Sequence, residues 1–416
     1  MKLAAPVKGH RLRFWQTFCV AALAAAPVGA RGELWTVDNS FDSRIESNDN
    51  ILLAQKSPGT VNTLSISSAL NASRQSESTA TRVSAAAAVV REQGVGGEDR
   101  VDGHFGVTQS LKDSLNQFNV SALYEQDFNN VVQNADVTLG PGRRRTTTGS
   151  ASWSHSLSER LSESTQLSFV RAGYGQQLSG AEDYSDASGT ASLSYRLSEL
   201  DSLSIQVGHS DYRTQAGSNR STTDDISVGA SRSFSERSSG SLNIGTNRTR
   251  SSIKAFGLAC PLAVAYCNAG LVAPVVFEAD QNSTAQGLQY STSWVYQLDE
   301  RTGFSFAAAR QQTPSGIGAV VQNDSLTAVI TRNFSEKLNG SINYAQSRST
   351  LEFAGGGRVG QRSLTVVLSR QLTSDLSVAS TYQRTDADPV AFGGRAHSNS
   401  ISVSLKYAWP QSEATH

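Results

Sequence analysis

Apolar and polar residues alternate with period two along most of this chain, and no other feature constrains the fold as strongly. Ile401, Val403, Leu405 and Tyr407 alternate with Ser402, Ser404 and Lys406. Leu203, Ile205 and Val207 alternate with Ser204, Gln206 and Gly208, and Leu193, Tyr195 and Leu197 with Ser192, Ser194 and Arg196. Successive side chains of a strand point to opposite faces, so each segment reads as a strand with one apolar and one polar face. Helical period is almost absent.

A short turn interrupts the alternation again and again. It reads Leu157-Ser158-Glu159-Arg160-Leu161-Ser162, then Leu197-Ser198-Glu199-Leu200-Asp201-Ser202, then Phe234-Ser235-Glu236-Arg237-Ser238-Ser239. Leu298-Asp299-Glu300-Arg301-Thr302, Phe334-Ser335-Glu336-Lys337-Leu338-Asn339 and Leu372-Thr373-Ser374-Asp375-Leu376-Ser377 follow, and Leu111-Lys112-Asp113-Ser114-Leu115 is a looser early copy. Polar, Gly-rich loops lie between the copies. Short turns at one end and long loops at the other are the pattern of a transmembrane antiparallel up-and-down β-barrel. Eighteen strands are expected, from 34–45 to 397–409, with both termini on the short-turn side. The first three are the weakest, so sixteen is the alternative. An all-β barrel occupying 31–416 is the single expected domain.

Composition narrows the class. Charged residues are 17%, below the roughly 25% of ordinary soluble domains. The 36 basic and 36 acidic residues leave no basic footprint for nucleic acid. Met1 is the only methionine.

Residues 1–30 read as a secretory signal peptide: Lys2, Lys8, Arg11 and Arg13 precede an apolar stretch from Phe14 to about Ala26, and Val28-Gly29-Ala30 is a small-residue cleavage site. Cleavage between Ala30 and Arg31 is expected. Of the cysteines beyond it, Cys260 and Cys267 form a close pair, and the exported context favours a local disulfide.

Parity locates further candidates. Two residues before the turn anchors stand His155, Tyr195, Arg232, Tyr296, Arg332 and Arg370, all aromatic or basic and all on the anchor's face. Amphipathic rings and snorkelling cations belong at a membrane edge, so these six are expected to form a girdle on the periplasmic side. The opposite face is mostly Ser, Thr, Asn, Gln and Gly, with Arg196 and Lys406 as lumen-facing cations. Arg143-Arg144-Arg145 opens a strand at the long-loop end, either as a clamp on lipopolysaccharide phosphate or another anionic polymer, or as a solvated basic run. The loop 252–282 is unusual: Ala255 to Phe277 has no charge, and Pro261 and Pro274 argue against a spanning helix. It is expected to constrict or cap the mouth, with contact to a partner as the alternative.

Catalysis finds little support, so no enzyme, cofactor or metal is expected. His209-Ser210-Asp211 is the nearest approach to a hydrolytic set, but adjacent strand residues point to opposite faces. There is no phosphate loop, dinucleotide fingerprint or metal cluster.

Further motifs carry a resemblance. Trp35 is followed by a polar strand and by Asp49-Asn50-Ile51-Leu52-Leu53-Ala54; the turns repeat the Leu/Phe-Ser-Glu-x-Leu-Ser form; and Val403, Leu405, Tyr407 and Trp409 end the barrel in the manner of the signal that the barrel-assembly machinery reads. Over essentially the whole mature chain, this resembles the β-barrel porin-like outer-membrane proteins encoded with exopolysaccharide biosynthesis operons, relatives of which accompany exosortase (PEP-CTERM) systems. The resemblance implies a Gram-negative outer-membrane location and passage of exopolysaccharide through the lumen. It also implies a periplasmic polysaccharide-export protein as partner, alongside outer-membrane lipids and lipopolysaccharide. A general or sugar-selective diffusion porin is the first alternative, and a structural or adhesin-like surface barrel the second.

Overall fold

The structure is a computed structural model that describes residues 35–94, 97–129, 142–175, 182–215, 217, 219–259, 275–314, 320–350, 358–388, 394–409 and 412–414. The signal peptide, its cleavage site at Ala30/Arg31 and the Cys260–Cys267 pair lie outside the described residues.

The described elements are all strands. The first nine are β1 (Trp35–Asn48), β2 (Val61–Gln75), β3 (Thr79–Gln93), β4 (Arg100–Lys112), β5 (Asn116–Asn129), β6 (Gly142–Ser156), β7 (Leu161–Tyr174), β8 (Tyr184–Arg196) and β9 (Asp201–Thr214). Then come β10 (Asn219–Ser235), β11 (Ser238–Ala259), β12 (Val275–Asp299), β13 (Thr302–Pro314), β14 (Val320–Ser335) and β15 (Leu338–Thr350). Last are β16 (Arg358–Gln371), β17 (Leu376–Asp388), β18 (Ala396–Ala408) and the short β19 (Ser412–Ala414). Each of β1–β18 pairs antiparallel with its neighbours in sequence, and β18 returns to β1 from Ser40↔Ala408 to Asn48↔Ser400. The barrel thus closes on eighteen wall strands, and the sixteen-strand alternative falls. The chain beyond β18 adds an unexpected pairing, β19 with Trp35–Val37 of β1.

The repeated turn has a local chemical cause. Ser158 Oγ accepts hydrogen bonds from the amides of Arg160 (3.3 Å) and Leu161 (3.1 Å), and Ser198 Oγ from those of Leu200 (3.1 Å) and Asp201 (3.0 Å). Thr373 plays the same part, accepting from Leu376 at 3.1 Å. In the variant copies a carboxylate replaces the hydroxyl: Asp113 accepts from Leu115 (2.8 Å) and Asn116 (2.6 Å), and Asp299 from Arg301 (2.7 Å). These side chains satisfy amides that the strand ladders leave unpaired, which is why Ser, Thr or Asp recurs there.

The seam is latched by the Asp49–Ala54 segment. The Asp49 carboxylate accepts from the backbone amide of Asn399 (2.7 Å) and from its side-chain amide (2.8 Å). Asn50 is buried; its amide donates to the carbonyls of Ala54 (2.8 Å) and His397 (2.9 Å). The motif therefore ties the end of β1 to the start of β18.

Burial is inside out for a soluble protein. Ile45 is 65% exposed, Ile401 63% and Leu167 58%, whereas Ser398, Ser400 and Ser402 are buried. The exposed apolar residues form a continuous belt around the outer face. A soluble monomer rarely exposes a patch beyond a few hundred Å². Covering each large aliphatic side chain is worth about 1.5–3 kcal/mol, so this belt requires a lipid environment.

Candidate pore and its mouth

Eighteen strands spaced about 4.8 Å apart and tilted about 40° enclose a backbone diameter of roughly 35 Å. Inward positions form hydroxyl ladders across neighbouring strands: Ser121–Ser150 at 2.7 Å, Ser164–Ser192 at 2.7 Å, Ser168–Ser188 at 2.6 Å and Ser241–Ser293 at 2.7 Å. Such pairs close cheaply in a narrow cross-strand gap and leave the wall polar but uncharged.

Charge is distributed unevenly on this wall. Between the turns, the described inward positions of β11–β17 carry hydroxyl, amide or small apolar side chains only. Charged inward residues stand mainly on β1 and β3–β6, and many neutralise one another. Arg44 meets Glu46 at 2.6 Å, Arg100 binds Glu92 and, at 3.0 Å, Asp102, and Arg144 meets Asp127 at 2.8 Å.

The mouth is crossed by an element that sequence reasoning missed. Pairing between β12 and β13 ends at Tyr290↔Arg310, while β13 and β14 stay paired up to Pro314↔Val320. Beyond Arg310, β13 parts from β12 and bends inward together with the end of β14, which stays paired with β15 as far as Gln322↔Thr350. Gln312, on the outward-facing side of β13, accepts hydrogen bonds from the inward hydroxyls of Thr249 on β11 and Thr223 on β10, the latter at 3.4 Å. Val320, on the same side of β14, packs against the inward cluster of Ala172, Tyr184 and Tyr212. Tyr212 is fully buried there, with the Tyr184 ring 5.3 Å away. Arg310 sits at the departure point, paired with Asp324 at 2.5 Å and lying over the Tyr290 ring at 5.7 Å.

The expected loop 252–282 is narrowed at both ends by strand pairing. Residues up to Ala259 and from Val275 are paired strand, from Ser238↔Tyr296 to Ala259↔Val275. The apolar stretch lacks alternation, yet a hairpin ribbon needs only backbone pairing. What remains, 260–274, lies outside the described residues. The described element that folds into the lumen is the end of β13–β14.

The other sequence-selected residues fall as follows. His155, Tyr195, Arg232, Tyr296, Arg332 and Arg370 all lie on the outward face near the short turns. His155 stacks on Trp153 (5.8 Å), Tyr296 on Trp294 (5.8 Å), and Arg232 and Arg332 lie over Phe234 (5.9 Å) and Phe334 (5.8 Å). Arg196 and Lys406 face the lumen and are exposed to it. The run Arg143-Arg144-Arg145 does not act as one clamp. Arg144 points inward to Asp127, and its two neighbours point outward, with Arg143 3.6 Å from Glu98. His209 and Asp211 face outward and Ser210 inward, so the three do not converge; His209 instead pairs with Asp224 at 2.7 Å.

No protein-family model matches the chain, and no curated protein matches it. Among solved structures the chain is similar to OccK7 (OpdD) of Pseudomonas aeruginosa, at 11% identity and a TM-score of 0.45 over 90% of this chain and 99% of that one. It is similar to OccAB2 of Acinetobacter baumannii, at 12% identity and 0.46 over 90% and 98%. It is also similar to the ferric-catecholate import receptor Fiu of E. coli, at 10% identity and 0.48 over 89% and 81%. The strand pairing and the apolar belt of this chain together make it an eighteen-strand antiparallel β-barrel of the transmembrane type.

Proposed function

We propose that the protein is a passive diffusion porin for small, uncharged, polar solutes. The observation that carries this reading is the inward face of β11–β17, where the described residues between the turns are hydroxyls, amides and small apolar side chains with no charge. Hydroxyls and amides exchange hydrogen bonds with a hydrated solute in either direction, so they replace water without holding the solute. The charged side of the lumen adds little net field where its members neutralise each other at close range. The infolded β13–β14 hairpin narrows the entrance, which favours small solutes. Proteoliposome swelling tests this reading: neutral hexoses should enter faster than sugar acids or amino sugars of equal size. Equal rates for all three, or no entry, would refute it.

The same neutral wall also suits a hydrated polysaccharide, which keeps exopolysaccharide secretion, with its periplasmic export partner, as the second reading. A strain lacking the gene separates the two. Lost extracellular polymer with periplasmic build-up would favour secretion; unchanged polymer with slowed sugar uptake would favour the porin.

A further inference from the structure

We propose that the outer wall of β9–β11, just beyond the apolar belt at the long-loop end, is a binding site for phosphate-bearing glycolipid of the outer leaflet. The strand register sets out the site row by row. Val207 and Ile226 stand in one row of the belt, both exposed. The next row outward is His209, Asp224 and Arg248. Then come Asp211, Thr222 and Arg250, followed by Arg213, Arg220 and Ser252. All these side chains share the belt's outward parity. The three charged rows span about 10 Å of height, the scale of a headgroup layer.

Four arginines therefore meet two carboxylates on this patch, and the carboxylates are already engaged. Asp211 accepts from Arg213 (3.1 Å) and Arg220 (3.2 Å), which holds both guanidinium groups in place. Asp224 is engaged by His209 at 2.7 Å. Among the described residues, neither Arg248 nor Arg250 makes an ion pair, and both are exposed. Guanidinium forks match phosphate oxygens bidentately, and every basic residue in these rows apart from His209 is arginine. The patch lies on the barrel's flank, continuous with the lipid-facing belt. A ligand that sits there must have its apolar part in the bilayer and its anionic part at headgroup height. A phosphorylated glycolipid has that form and a soluble polyanion does not.

The test uses the full-length refolded barrel in detergent with diphosphoryl lipid A as the probe, read by native mass spectrometry. The same glycolipid after enzymatic dephosphorylation is the comparison. Binding of the phosphorylated form is expected to fall at least tenfold in R248Q/R250Q. These two side chains make no ion pair, so the variant is expected to refold, which heat-modifiable gel mobility checks before binding is measured. A variant at the short turns, R160Q/R237Q, is expected to bind as the parent does. Unchanged binding by R248Q/R250Q would overturn the proposal. So would equal binding of the phosphorylated and dephosphorylated glycolipids. Because the readout is lipid retention, not transport, failure of the porin reading would leave this result standing, and the reverse holds too.

Discussion

Replacing Tyr212 by Ala should release the β13–β14 hairpin from the mouth. Tyr212 is fully buried between the wall residues Ala172 and Tyr184 and the hairpin residue Val320. Truncating a buried aromatic side chain to Ala costs about 3–5 kcal/mol in total. Much of that belongs to contacts within the wall, which persist whether the hairpin is docked or not. The share that opposes undocking is about 1.5–3 kcal/mol, or roughly a 10- to 150-fold rise in the undocked population. Hydrogen–deuterium exchange of those Gln311–Thr313 amides that point away from β14, which have no β12 partner beyond Tyr290↔Arg310, follows that population. Their exchange should quicken by the same factor, while amides of β16 and β17 stay unchanged. Conductance through the variant should rise in parallel. Tyr212→Phe keeps the ring, so its exchange should stay near that of the parent. Unaltered exchange in Tyr212→Ala would show that the ring does not hold the hairpin, and the account of the mouth would be wrong.

Other substitutions probe the seam, a turn and the pH response. Asp49→Ala removes the acceptor for both amide groups of Asn399 and should lower stability by about 1.5–3 kcal/mol, seen as an earlier midpoint in urea unfolding from bilayers. Gly94 has φ +138°, and a Cβ there would stand 2.5 Å from the Thr60 carbonyl oxygen; Gly94→Ala should cost about 1–3 kcal/mol in the same assay. The Asp113 carboxyl is held below the usual carboxylate range by the amides of Leu115 and Asn116. Its contribution is therefore present above the unfolded-state value of about 4 and is lost as pH falls through the lower folded value. Protection of the Leu115 and Asn116 amides, measured against their intrinsic exchange at each pH, should fall on acidification, and in Asp113→Asn that protection should not change with pH.

Much of the wall was legible because a strand with lipid on one side and water on the other must alternate. Leu203, Ile205 and Val207 reported their face directly, and the Ser or Asp of each turn marked the strand ends. The mouth was less legible, because packing of one wall element onto another leaves no periodic trace. Two local signs existed. Tyr174, Tyr184 and Tyr212 stand at inward positions on strands whose other inward residues are mostly small and polar, and Val320-Val321 breaks alternation just where β14 must be covered on both faces. The arginine run shows the opposite limit. Three adjacent cations look like one site in sequence, yet period two sends Arg144 inward and its neighbours outward. Conversely, Arg213, Arg220, Arg248 and Arg250 are scattered in sequence and become neighbours only through strand register.

The most direct test of the central claim is the current carried by the refolded full-length barrel in a planar bilayer with simple salt and no added ligand. A polar lumen through eighteen wall strands predicts steady open steps, larger in Tyr212→Ala, with weak preference between cation and anion. A silent membrane for both the parent and Tyr212→Ala, with insertion verified by protease protection, would contradict the pore and leave a barrel whose lumen conducts nothing.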